Sequence, residues 1–211
     1  MKIKRLIGGH LESNGYIVIS DAAKECYLVD PGYNAKKCLN EISADGLTLR
    51  GILLTHHHYD HVGGVKKIKA VIGCNVYMHR ADADIYGGQV DVFPEDGEKI
   101  ALGNEIIQVI HTPGHTKGSL CFFMLSERKV FTGDTIFNVD LGRTDLRSGS
   151  DADMANSIRN VVSKWENDCI IYPGHGDPAN MKFIRIHNME YLEIMGEMSN
   201  YKPWNGEKFI L

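Results

Sequence analysis

No uninterrupted apolar stretch of about 18 residues occurs in the chain, so no membrane-crossing helix and no membrane partner are expected. The segment Met1-Lys2-Ile3-Lys4-Arg5 is basic, but the apolar core of a secretory signal does not follow it, and a cytoplasmic location is the expectation. No C-x-x-C pair is present. The 5 cysteines, Cys26, Cys38, Cys74, Cys121 and Cys169, form an odd, scattered set that argues for buried free thiols and against a disulfide framework. Long Lys/Arg blocks are missing as well. The densest basic stretch, Lys66-Lys67-Ile68-Lys69, reads as a solvated helix face, and 23 basic against 27 acidic residues leave a net charge of -4. A nucleic-acid partner requires a basic face, so none is expected. Without linkers or low-complexity segments, the 211 residues read as one domain, 1–211.

Hydrophobic patterning supplies the elements. Strand-like runs cover 3–7, 16–20 and 26–30, and a helix spans 35–42, where Leu39 and Ile42 share a face. A buried strand, 51–54, leads into a His-rich loop, followed by a helix over 62–71 and a strand over 75–78. The second half repeats the theme: a strand over 106–110, a hairpin of 120–125 and 129–132, a helix over 151–165 with Asp151 as N-cap, a strand over 169–172 and a last helix over 181–195. This order predicts two packed sheets with helices outside them.

The most informative stretch is Thr55-His56-His57-His58-Tyr59-Asp60-His61-Val62-Gly63-Gly64. Imidazole nitrogens and carboxylate oxygens are the ligands that Zn²⁺ selects, as do Fe and Mn. Alternate residues leaving a strand point to the same side, so His56 and His58 can converge on one ion while Asp60 and His61 face another. A solvated polyhistidine turn is the bland alternative. Against it, His115, Asp134 and His175 each also follow an expected strand, and strand ends meet at one sheet edge. His57 and Tyr59, between ligands, point away. Gly63-Gly64 reads as a place of close backbone approach, and Asp30 as either a support for a ligand or a turn cap.

H-x-H-x-D-H together with His115, Asp134 and His175 resembles the metallo-β-lactamase superfamily, over most of the chain from Asn14 to about Leu192. The resemblance implies a four-layer αββα sandwich of the α/β (α+β) class. It also implies two divalent metal ions, one on His56, His58 and His115, the other on Asp60, His61 and His175, with Asp134 between them. Asp60-His61 is similar to the dinuclear hydrolases; the lactamases proper carry Asp-Arg there. The strings Thr112-Pro113-Gly114-His115-Thr116, Thr132-Gly133-Asp134-Thr135, Gly142-Arg143-Thr144-Asp145 and Pro173-Gly174-His175-Gly176 resemble the glyoxalase II group, as does His187-Asn188 near Tyr191-Leu192.

That likeness implies a hydrolase in which a hydroxide shared by two ions, with Asp60 and Asp134 as catalytic carboxylates, attacks a small-molecule thioester. A metal can lower the pKa of bound water towards roughly 7, and a thiolate leaves without strong acid help. Two departures bear on the substrate. The full-length enzymes carry a C-terminal helical domain that grips glutathione, which is not expected here, and Asp145 and Asp177 stand where they present tyrosines. Arg143 alone keeps the basic position, as a substrate contact or equally as a structural salt bridge. The rival readings are a one-iron persulfide dioxygenase, a lactonase, and a non-catalytic metal-binding module. A flavodiiron-like protein would carry Glu at His58, and a nuclease would carry a basic arm.

Overall fold

Alternation along the strands divides the core of this protein into separate layers. The computed structural model describes residues 1–207, so the last four positions of the 1–211 span lie outside the described residues. The first sheet contains β1 (Lys2–Gly8), β2 (Ser13–Ser20), β3 (Glu25–Val29), β4 (Thr48–Leu53) and β5 (Asn75–Tyr77), in that spatial order. Its first three strands are antiparallel, and β3, β4 and β5 run parallel. Helix α1 (Ala35–Ala44) connects β3 to β4; α2 (Tyr59–Val62) and α3 (Val65–Ile72) connect β4 to β5; α4 (Arg80–Tyr86) follows β5.

The second sheet contains β6 (Lys99–Leu102), β7 (Glu105–His111), β8 (Leu120–Met124), β9 (Lys129–Gly133), β10 (Ile170–Pro173) and β11 (Ala179–Asn180), again in sequential order. Helices α5 (Asp151–Asn160), α6 (Met181–His187) and α7 (Met189–Met195) are the remaining α-helices among the described residues.

Ile17 and Ile19 of β2, with Cys26 and Leu28 of β3, pack outward against Ala35, Cys38, Ile42, Val65 and Ile68 of α1 and α3. Their neighbours Tyr16, Val18, Tyr27 and Val29 turn inward and meet Ile107, Val109, Leu120, Phe122 and Phe131 of the second sheet. Cys121, Val130 and Ile171, on that sheet's other face, pack on Met154 and Ile158 of α5, Ile184 of α6 and Leu192 of α7. The result is the expected four-layer arrangement of helices, two sheets and helices. A buried Ile, Leu or Phe contributes about 1.5–3 kcal/mol, and a one-residue slip in β2 would reverse every side chain at once, so the pattern holds the register.

Several boundaries differ from the sequence expectation, each for a local reason. The 151–165 helix stops at Asn160 and gives way to a 3₁₀ turn, Val162–Lys164, after Val161 leaves the helical register with φ -119° and ψ -68°. Its cap is Ser150, not Asp151: extended Ser150 accepts from the Asp153 N–H through its hydroxyl. The 181–195 helix is two helices, broken at Asn188, whose Oδ1 accepts from Tyr191 N and restarts the helix. The 62–71 helix begins at Val65, and Asp60 and His61 lie on the one-turn α2. Strands β6 and β11 and helix α4 are not evident from patterning. All five cysteines are buried and free, as expected. No helix among the described residues is long and apolar enough to cross a membrane.

Strands β7 and β9 are both antiparallel to β8, and β10 is parallel to β9, so all three run the same way. The residues that follow them, His115, Asp134 and His175, emerge at a single edge. Bonds between the sheets close that edge onto the end of β4: Leu120 N donates to Thr55 O at 2.8 Å, and Asn14 N donates to Gly174 O at 2.7 Å.

Candidate metal centre

Seven side chains from four loops converge there. His56, His58 and His115 place one ligating atom each within 4.8 Å of one another, and so do Asp60, His61 and His175. Asp134 lies between the groups, with Oδ2 3.5 Å from His115 Nε2 and 3.6 Å from His175 Nε2, and Oδ1 3.4 Å from His61 Nε2. Every expected ligand is therefore in the cluster.

Hydrogen bonds around the cluster decide which nitrogen each imidazole presents. Thr55 Oγ1 donates to Asp30 Oδ2 at 2.6 Å, which leaves its oxygen to accept from His56 Nδ1 at 2.9 Å. His61 Nδ1 donates to the same Asp30 Oδ2 at 3.2 Å, and His115 Nδ1 donates to Arg143 O at 2.7 Å. His175 Nδ1 donates to Leu11 O at 3.0 Å. These four rings thus aim Nε2 inward, while His58 aims Nδ1, 2.8 Å from His115 Nε2. Asp30 groups with His56 and His61 as a third cluster, but both its oxygens are occupied, Oδ1 by Thr55 N at 2.8 Å. It orients ligands instead, which settles its two readings in favour of support.

A divalent cation fits this donor set. His56 Nε2 and Asp134 Oδ1 are buried with no hydrogen-bond partner among the described residues, and a buried polar atom left alone costs about 1–3 kcal/mol. Burial, reinforced by the neighbouring rings, pushes the pKa of His56 well below normal, and burial brings His58 down to about 4. Burial also lowers His115. These rings are neutral ligands at neutral pH. At His61 and His175 burial again opposes charge, but Asp134, Asp60 and, for His61, Asp30 outweigh it and raise both pKa values. At Asp60 burial is likewise outweighed, here by hydrogen bonds from His175 and His61, and its carboxyl is held low. A cation at this second triad would take the place of the protons that these carboxylates hold on His61 and His175.

Gly174 makes the close packing possible, since a Cβ there would overlap Asp134 Oδ1 and come within 2.8 Å of His61 Cε1. At Gly64 a Cβ would stand 2.7 Å from Gly32 O, the close approach expected of the Gly63-Gly64 pair.

His57 points away from the cluster, as expected, onto Asp82, a residue that no motif singles out. Asp82 is buried and accepts from His57 N at 3.0 Å, His57 Nδ1 at 2.9 Å, Thr116 Oγ1 at 2.7 Å and Gly118 N at 2.7 Å. Burial alone would raise its pKa, but the bonds from His57, Thr116 and Gly118 outweigh it and hold it low. It ties the His56–His61 loop to the loop that carries His115. Nothing in the local sequence distinguishes it from neighbouring Asp84. Asn14 and Tyr16 support the other side: Asn14 Nδ2 donates to Pro173 O at 3.0 Å and Gly176 O at 2.8 Å, and Tyr16 Oη to Pro173 O at 2.6 Å. Buried Asn188 Nδ2 donates to Phe137 O at 3.2 Å and Asp140 O at 2.8 Å, anchoring the loop after Asp134.

The cluster opens into a cavity of about 700 Å³, with Asp60, His115, Asp134 and His175 in its lining. Arg143 lines it too, but its guanidinium makes a bidentate pair with Asp145, Nε to Oδ1 and Nη2 to Oδ2, both at 2.7 Å. That pairing brings the Asp145 pKa down to about 2. Asp177 pairs with Arg5 at 2.8 Å. A second recess, of about 830 Å³, lies along α3 and α4 and holds none of the ligands.

The model of the metallo-β-lactamase superfamily matches residues 8–175. The chain is 35% identical over 162 residues to a probable polyketide biosynthesis zinc-dependent hydrolase, BaeB, of Bacillus velezensis, covering 76% of this chain and 71% of that one. It is 32% identical over 180 residues to the hydroxyacylglutathione hydrolase of Pelagibacter ubique, covering 85% and 73%. Among solved structures, TTHA1623 in a di-iron-bound form superposes with a TM-score of 0.75 at 29% identity, covering 88% of this chain and 98% of that one. ETHE1 from Myxococcus xanthus has a TM-score of 0.82 at 24% identity, covering 95% and 91%, a likeness of fold. With the family pattern running through all four ligand-bearing loops, this chain belongs to the metallo-β-lactamase superfamily.

Proposed function

We propose that this chain is a dinuclear metal-dependent hydrolase of glyoxalase II type that cleaves a small thioester. The observation that carries the reading is the pair of complete triads sharing one carboxylate, Asp134. His56, His58 and His115 would hold one divalent ion, and Asp60, His61 and His175 the other, with zinc the first choice and iron or manganese the alternatives. When bound, such an ion pair supplies a nucleophile at neutral pH and polarises the carbonyl under attack.

The chain's own groups do the rest. Asp134 holds the two triads in register, and Asp60 and Asp134 are the two carboxylates on the cavity wall to which we assign the catalytic role. Asp30, through Thr55 and directly, keeps His56 and His61 in the tautomer that presents Nε2 inward. A thiol leaving group, with a free pKa of about 8.5, departs as thiolate without a strong acid. The proposal takes 1–211 as one domain, because a single apolar layer joins the two sheets. It takes the partner to be a small molecule, with neither nucleic acid nor membrane involved, and the location to be cytoplasmic.

The second reading is a mononuclear iron persulfide dioxygenase, which shares this fold with ETHE1. The second triad, with its lone pairs aimed inward, favours two ions over one. Metal analysis combined with a panel of thioesters, lactones and glutathione persulfide separates the readings. About two divalent ions per chain with thioester turnover is the expected result. One iron with oxygen uptake on the persulfide, lactone turnover alone, or tight metal without any turnover would each replace it.

A further inference from the structure

The cavity over the cluster has an apolar rim and a self-cancelled cation. Exposed apolar side chains are ordinary when scattered and informative when they gather in a groove, and three of this chain's line the cavity: Leu11, 44% exposed, Tyr59, 56%, and Leu146, 41%. Phe137 and Leu141 extend the same wall, and Phe137 stands edge-on to His175 with ring centroids 6.0 Å apart. Tyr59 is in turn edge-on to exposed Tyr33, at 6.4 Å. Leu11 and Leu146 sit on loops whose backbones hold rings of the cluster, since Leu11 O receives His175 Nδ1 and, in the loop of Leu146, Arg143 O receives His115 Nδ1 at 2.7 Å. The apolar rim is therefore built onto the centre.

Charge in the same wall is arranged differently. Among the described lining residues, Arg143 is the one Lys or Arg. Asp145, two residues on, occupies both arms of its fork. An exposed pair of this kind is individually weak, but it is intramolecular. A substrate carboxylate must displace a tethered one present at an effective concentration in the millimolar range or above. On the side of His175, Arg5 is likewise taken by Asp177. Lys66 lines the other recess and not this one.

We infer that the substrate is a thioester whose thiol part is uncharged and apolar, and that the Arg143–Asp145 pair discriminates against anionic thiols such as glutathione. The inference rests on the hydrolase reading. The Leu11, Tyr59 and Leu146 side chains receive the apolar portion next to the scissile bond, and Asp145 withholds the guanidinium that would hold a carboxylate. Asp145 is a specificity residue and not a catalytic one.

Two measurements separate this inference from the reading beneath it. The first is binding of unreactive thioethers to metal-free protein by calorimetry, comparing a hexyl thioether of neutral N-acetylcysteamine with S-hexylglutathione. The neutral compound is expected to bind at least tenfold tighter, and equal or reversed affinity would overturn the inference whatever the enzyme does. The second is the ratio of kcat/KM for the lactoyl thioesters of the same two thiols in metal-loaded protein, expected to favour the neutral thiol. Asp145→Asn should shift that ratio at least tenfold towards glutathione, and Leu146→Ser should weaken binding of the neutral thioether at least threefold. A ratio unmoved by Asp145→Asn would overturn the role of the pair. Hydrolysis of both esters with glutathione preferred would leave the hydrolase reading intact and remove the inference. Thioether selectivity without any hydrolysis would remove the hydrolase reading and with it the thioester substrate, leaving only the preference of the cavity for neutral ligands.

Discussion

His57 Nδ1 lies 2.9 Å from Asp82 Oδ2, turned away from the ligands on either side of it. That bond fixes the orientation of the whole loop. With His57 held to α4, the alternation of the chain sends His56 and His58 to the cluster. Because Asp82 also accepts from Thr116 and Gly118, the same carboxylate fixes the loop of His115 relative to that of His58.

Replacing Asp82 with Ala leaves these donors buried and unpaired. Hydrogen bonds to a charged acceptor are worth about 1.5–3 kcal/mol, and stranded donors add to the loss. The expected destabilisation is about 2–4 kcal/mol, read as a lower urea midpoint with an unchanged slope. Asp82→Asn keeps part of the acceptor capacity and should lose less. Equal stability of Asp82→Ala and the parent would show that the tie is incidental.

Asp30 reaches both triads without belonging to either. It holds His61 directly and His56 through Thr55. Loss of a group that orients a ligand typically weakens metal affinity about 10–100-fold. Asp30→Ala is therefore expected to weaken zinc at both positions by that factor, and Thr55→Val chiefly at the His56 position. Competition against a chromophoric chelator measures each. An unchanged affinity in Asp30→Ala would reject the orienting role.

Asp134 and His175 differ in reach. Asp134 approaches His61, His115 and His175, whereas His175 belongs to one triad. Asp134→Ala is expected to lower metal content at both positions, and His175→Ala to lower it mainly at the second. Elemental analysis after gel filtration reads the difference. Two full equivalents retained by Asp134→Ala would rule out a shared ligand.

The buried thiols set a limit at alkaline pH. Burial pushes the pKa of Cys26, Cys38 and Cys169 up to about 12, and that of Cys121 up to about 11. An unfolded thiol titrates near 8.5. Above that pH the unfolded chain binds fewer protons than the folded one, so stability falls as pH rises, through the window from about 8.5 to 12. The loss should be about 2 kcal/mol per thiol by pH 10. Urea unfolding at pH 8, 9 and 10 tests the slope, and a thiol-specific chromogenic reagent tests the burial. Rapid reaction of all five thiols in folded protein at pH 8 would contradict it.

The candidate cluster is legible in the amino-acid order alone because metal binding needs uncommon residue types at short, local spacings. His56, His58, Asp60 and His61 fall within six positions, and the rest follow recognisable strands. The strands are legible for a different reason, since strands buried on both faces read as continuous apolar runs, as in Tyr16 to Ile19, whose side chains face two layers in turn. What pairs with what is not. Asp82 and Asp84 look alike in sequence, and only the folded chain brings Thr116 and Gly118 to the first of them. Asn188 breaks a continuous helical pattern because Phe137 and Asp140 offer it carbonyls from a distant loop. Arg143 reads equally as a substrate contact or a structural salt bridge until the turn folds Asp145 onto it. Local spacing determines which groups a short segment can offer, whereas a buried hydrogen bond or ion pair is a relation between segments, decided only when the packed sheets set the distance between them.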